Sequence, residues 1–175
     1  IKDSIRADIS YAMEVRGVRN WQQRTDELLA RFRLSDLDGR DGRLLSGGQM
    51  RRASLAIGIA LNPGVLLLDE PTANLDIATR REIIDVLQQM KDIINTAVIA
   101  THDMQLVCQW AQRIIVLCNG KVVADSSRDE IFSRQDIAEL VGIRPPEIFS
   151  MAHALDNRAL CYTIDEFTSS FQKGV

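Results

Sequence analysis

Residues 62–71 read Asn62-Pro63-Gly64-Val65-Leu66-Leu67-Leu68-Asp69-Glu70-Pro71. Four apolar residues stand between a turn signal and two adjacent carboxylates. A short run without polar alternation suits a strand buried on both faces of a parallel sheet. Upstream, Ser46-Gly47-Gly48 opens a helix that runs to about Leu61, where Asn62-Pro63-Gly64 stops it. Downstream, a helix is expected over about 78–91, with Ile83, Ile84, Leu87 and Met90 inward and Asp76 as its cap. Thr96–Ala100 reads as a second buried strand, ending at Thr101-His102-Asp103. Another helix starts there, with Met104, Val107, Cys108 and Ala111 on one face. Residues 113–118 and 121–125 flank Asn119-Gly120, a hairpin signal, because this pair accepts the positive φ of a type I′ turn. Strand, helix, strand, helix and hairpin in that order predict an α/β domain with a mainly parallel sheet.

The flanks are helical. Ile5, Ile9, Ala12 and Met13 share one face, and Trp21, Thr25, Leu28, Leu29 and Phe32 share another, with a break at Gly17–Asn20. From Ser127 onward the pattern is helical, interrupted at Pro145-Pro146, and Thr163 to Glu166 fits a capping box. Of the 175 residues, 46% are apolar and 26% charged, so the chain can bury a core and does not read as disordered. No apolar run approaches the ~18 residues of a membrane-spanning helix. The net charge of −3 gives no basic footprint, which argues against a nucleic-acid partner. Cys108, Cys118 and Cys161 are odd in number and form no CxxC, so a disulfide or zinc scaffold is not expected and a reducing compartment is. No basic-then-apolar leader opens the chain.

Three segments place polar groups where ligands bind in open α/β sheets, at the carboxyl ends of strands and the amino ends of helices. Asp69 and Glu70 follow a buried run. A magnesium ion, and a water about to attack a phosphate, would justify two carboxylates there. Asp69 would hold the ion and Glu70 would orient or deprotonate the water. The plainer alternative is that both merely cap the next turn. Ser46-Gly47-Gly48-Gln49 lets a backbone approach a phosphate at a helix amino end, or else is an ordinary serine cap with glycines in the turn. His102 ends the second strand. A lone histidine there is otherwise a satisfied structural residue.

In this order the segments resemble a known family. Leu45-Ser-Gly-Gly-Gln49 resembles the signature motif of ABC-type ATPases, and Val65-Leu-Leu-Leu-Asp69-Glu70-Pro71-Thr72 their Walker B. Ala73-Asn-Leu-Asp76 is similar to the D-loop, and Ala100-Thr-His102-Asp103 to the switch histidine. Ser46 and Asp69 stand 23 residues apart, and Asp69 and His102 stand 33 apart, as the family requires. The resemblance implies the P-loop NTPase-like ABC fold. It also implies two cofactors, ATP and Mg2+, with magnesium organised by Asp69. Glu70 would be the catalytic base and His102 the γ-phosphate sensor. Ser46, Gly47 and Gly48 would contact ATP held by a second ATPase subunit, like or unlike, with Gln49 beside it. Asp76 would reach across that dimer, and Arg52 would be structural.

No GxxxxGK[ST] phosphate loop occurs in the sequence; Gly42 and Gly47 have the spacing, but Gly48 stands where lysine should be. The chain begins at Ile1 rather than Met, and reads as the C-terminal portion of a longer ATPase. The fold expected is therefore an incomplete ABC ATPase. Residues 1–44 would form the helical subdomain, 45–126 the core, and 127–175 a C-terminal helical extension. Alone, the chain is expected neither to bind ATP tightly nor to hydrolyse it. Without a neighbour, Val65–Leu68 would expose a strand edge.

The openings Ser4–Ala12 and Glu14–Gly17, the run Gly120–Asp125, and Gly142–Pro146 are similar to the ATPases of energy-coupling-factor transporters, which import vitamins or metal ions. That likeness implies docking of a transmembrane coupling subunit on Ile1–Arg40, at the cytoplasmic face of the membrane. The alternatives are a soluble ABC ATPase outside transport, or a fragment that only donates its signature to a partner.

Overall fold

A computed structural model describes residues 2–156 and 159–171. The chain divides into two compact units, Ile1–Ala100 and Thr101–Val175; Ile1 itself lies outside the described residues.

The first unit opens with helices α1 (Ile5–Val15) and α2 (Trp21–Arg31). The Ser4 hydroxyl accepts from the Ala7 N–H at 3.2 Å and starts α1. Ile5, Ile9 and Met13 recur every fourth residue and are buried. Leu28, Leu29 and Phe32 are buried at the end of α2, as is Thr25, whose hydroxyl donates to Trp21 O at 2.8 Å. Two short 3₁₀ turns lead into α3 (Gly47–Ile59). Its inward face is Ala53, Leu55, Ala56 and Ile59.

Strand β1 (Val65–Asp69) follows, then α4 (Ile77–Met90) and β2 (Thr96–Ala100). The strands pair in parallel, with Val65 opposite Thr96 and Asp69 opposite Ala100. The expected inward residues of α4 are buried, together with Val86. The strands differ from expectation. Leu66 is buried, but Leu67 is 74% exposed and Val98 54% exposed. Burial on both faces requires layers on both faces. Here α3 covers one: a Cβ on Gly58 would meet Leu66 Cδ1 at 3.5 Å. Among the described residues β1 has no second neighbouring strand. A strand edge is therefore open, as expected.

The second unit holds α5 (Met104–Trp110), β3 (Ile114–Cys118), β4 (Lys121–Ser126) and helices α6 (Arg128–Ser133), α7 (Gln135–Val141), α8 (Glu147–Leu155) and α9 (Ile164–Phe171). β3 and β4 form the antiparallel hairpin, with Asn119 at φ 49° and Gly120 at φ 75°. It is a separate sheet, so the parallel content is one strand pair. In α5 the buried residues are Leu106 and Cys108; Ala111, expected on that face, is an extended C-cap outside the helix. Seven residues are too few for a face to be read from period alone.

Two apolar clusters organise this unit. Val116, Ala124, Ile131 and Ile137 form one; Cys108, Phe132 and Tyr162 form the other. Arg128 joins the second by donating to Cys108 O at 2.8 Å, pairing with Glu166 at 3.0 Å and lying 4.1 Å from the centre of the Tyr162 ring. Glu166 accepts from the Thr163 N–H at 3.2 Å and donates its own N–H to Thr163 Oγ1 at 3.1 Å, which is the expected capping box. Among the described residues no helix is long and apolar enough to cross a membrane.

Candidate functional site

β1 ends at Asp69, which is exposed. The next residue turns the chain sharply: Glu70 sits at φ 44°. Its N–H donates to Ala100 O at 2.9 Å, and its carbonyl accepts from the Ala73 N–H at 3.2 Å. The backbone of Glu70 thus makes the turn that follows the strand, and Pro71 and Thr72 are buried beneath it. The two carboxylates stand at a strand carboxyl end, as the sequence predicts. Among the described residues no group of three or more His, Cys, Asp or Glu is arranged to hold a metal. The Asp69 carboxylate fits a magnesium site in part; the remaining oxygen ligands would have to come from phosphate and water.

Ser46 caps α3. Its hydroxyl accepts from the Gln49 N–H at 3.3 Å, and Gln49 Oε1 accepts from the Ser46 N–H at 2.9 Å. The plainer reading of this turn is therefore present in the structure. It leaves Ser46 and Gly47 exposed, with nothing within 4 Å of a Cβ on Gly47. Gly48 is different. It is buried, and a Cβ there would lie 2.3 Å from Thr79 Cγ2. Sequence reasoning gave both glycines to a ligand; the structure gives Gly48 a packing duty as well.

Asp76 caps α4. Its carboxylate accepts the Thr79 N–H at 2.9 Å and the Thr79 hydroxyl at 2.6 Å. These bonds, the hydroxyl first, hold its pKa below the ordinary carboxylate range. Arg52 pairs with Glu82 at 2.5 Å, its side chain 11% exposed, which fits a structural role. Thr79 and Glu82 were not singled out from sequence. Their spacing was the available signal, since both lie on the α4 face that follows the Asp76 cap.

His102 belongs to the second unit and is exposed. Thr101 Oγ1 accepts from the Asp103 N–H at 3.1 Å. Asp103 caps α5 through the N–H groups of Gln105 at 3.1 Å and Leu106 at 3.2 Å. Elsewhere in the first unit, a cleft of about 300 Å³ lies between the start of α2 and the end of α3, with Arg19, Gln23, Arg24 and Asn62 among its lining residues.

The family model described as ABC transporter matches residues 3–73. The chain is homologous to the ABC transporter ATPases. The cobalt import ATP-binding protein CbiO of Rhodobacter capsulatus is 37% identical over 129 residues, 74% of this chain and 46% of that protein. The energy-coupling factor transporter ATP-binding protein EcfA2 of Streptococcus sanguinis is 32% identical over 176 positions, 94% of this chain and 62% of that one. Among solved structures, cbiO1 from Clostridium perfringens, described as part of the ABC transporter complex cbiONQ, matches with a TM-score of 0.66 at 30% identity. That match covers 85% of this chain and 60% of the other. The fold is thus that of an ABC ATPase with a P-loop NTPase architecture, and the relatives are energy-coupling-factor and cobalt transporter ATPases. The chain spans roughly half the length of these relatives.

Proposed function

We propose that this chain carries the signature, Walker B, D-loop and switch-histidine portion of an ATPase that powers an importer of the energy-coupling-factor type, for a vitamin or a metal ion. The observation that supports it most is that one chain presents both an exposed, open Ser46-Gly47 turn at a helix amino end and, separately, Asp69 and Glu70 at a strand carboxyl end. Ser46 offers its hydroxyl, and Gly47 the amino end of α3, to the γ-phosphate of ATP bound by a second ATPase subunit, with Gly48 and Gln49 shaping that turn. Asp69 binds the magnesium, which neutralises developing phosphate charge. Glu70 orients the attacking water and accepts its proton. His102 hydrogen-bonds the γ-phosphate, and Asp76 reaches the partner. The stretch Ile1–Arg40 would offer the docking surface for a transmembrane coupling subunit at the cytoplasmic face.

The 175 residues contain no GxxxxGK[ST]. These residues by themselves therefore supply no phosphate cradle, and in a mixed pair the signature turn of this chain would complete the site on a subunit that has one. The test mixes the chain with an ATPase subunit of the same transporter class bearing an intact P-loop. Stimulated ATP turnover that Ser46→Arg abolishes is the expected result. Stimulation untouched by Ser46→Arg, or turnover by the chain alone that Glu70→Gln removes, would refute this reading.

A further inference from the structure

Thr79 touches two of the segments assigned above, with different atoms. Its methyl faces the first turn of α3, where a Cβ on Gly48 would come within 2.3 Å of Cγ2. Its hydroxyl donates to Asp76 Oδ2 at 2.6 Å, and its N–H donates to Asp76 Oδ1 at 2.9 Å. Further along both helices, Arg52 of α3 pairs with Glu82 of α4 at 2.5 Å. The two helices are therefore joined at two successive levels, first by close packing and then by charge. The upper level is the tighter constraint, because a methyl against helix backbone has no slack, whereas a salt bridge can lengthen.

We propose that Thr79 is a positioning residue that locks the Ser46–Gly48 turn and the Asp76 carboxylate into one rigid body. The inference rests on the reading that both segments act on one partner-bound nucleotide, but the lock itself is a property of this chain. A displacement at Gly48 pushes the Thr79 methyl, and the hydroxyl on the same carbon then leaves Asp76. The signature turn and the D-loop consequently move together. Gly48 is required here for close approach to Thr79, in addition to any approach to phosphate.

The first experiment needs no nucleotide. The Asp76 carboxyl is titrated by NMR in the full chain, in Gly48→Ala and in Gly48→Ala/Thr79→Ser. Serine keeps the hydroxyl and removes the methyl. Gly48→Ala is expected to move the Asp76 midpoint up towards the ordinary carboxylate value, and Thr79→Ser to bring it back. If Gly48→Ala does not fold, recovery of the fold in the double variant is the expected result. An unmoved Asp76 in folded Gly48→Ala, or no rescue by Thr79→Ser, overturns the lock. The second experiment adds Thr79→Val, which keeps the methyl and loses the hydroxyl, to the mixing assay. The kcat of stimulated turnover is expected to fall about tenfold with the half-saturating ATP concentration unchanged, and Thr79→Ser to stay closer to wild type. Equal kcat for Thr79→Val and wild type overturns the role in turnover. No stimulation by the wild-type chain would instead overturn the proposed function, leaving the titration result standing.

Discussion

Glu70 holds a left-handed backbone at φ 44° without being glycine. For an L-residue with a long side chain this costs roughly 1–2 kcal/mol relative to the right-handed region. The cost is offset by what the turn achieves. It extends the β1–β2 hydrogen bonding by one N–H, to Ala100 O, and ends the strand where the carboxylates are needed. Asparagine tolerates this conformation better than glutamate. Glu70→Asn is therefore expected to raise the stability of the chain by about 1 kcal/mol in urea titrations, while removing the proposed base. A lower unfolding midpoint would show that the Glu70 side chain contributes more than the strain costs. The identities of Asp69, Glu70 and His102 were legible as a motif, but the strain was not. Backbone angles are set by the strand pairing, and no local rule places glutamate at positive φ.

Capping was the most readable feature at the scale of elements. Ser46, Asp76 and Thr163 all accept the N–H bonds that their sequence context predicts. A cap depends on three or four consecutive residues, so it needs no knowledge of the rest of the fold. Asp103 belongs to the same group and accepts two N–H groups. Asp103→Ala is expected to cost about 1 kcal/mol and to raise amide exchange over residues 104–107, with Asp103→Asn close to wild type. Unchanged exchange in the alanine variant would mean that packing of Leu106 alone holds α5. Strand burial was read less well. The unbroken run Val65–Leu68 predicts two covered faces, yet Leu67 is 74% exposed. Periodicity reports which side chains are apolar. It does not report how many layers the chain supplies to cover them.

Each of the two units has its own apolar interior. Ile9, Met13, Phe32, Ile59 and Ile83 are buried in the first, and the clusters around Val116 and Tyr162 lie in the second. Compact units with separate cores unfold with separate midpoints unless an extensive interface couples them. Trp21 reports the first unit and Trp110 the second. Urea unfolding followed by fluorescence in Trp110→Phe and in Trp21→Phe is expected to give distinct midpoints. Superimposable curves would show that the chain unfolds as one cooperative body.

The sequence by itself determined the elements, their caps, the hairpin turn and the order of motifs that reveals the ABC ATPase relationship. These are short-range properties, carried by residue type within a few positions. Only the tertiary structure decided that Gly48 packs against Thr79, that Arg52 reaches Glu82 across 30 residues, and that one face of the parallel strand pair stays open. Each depends on which helix surface meets which. That choice follows from the summed packing of α3, α4 and β1, and no single segment encodes it.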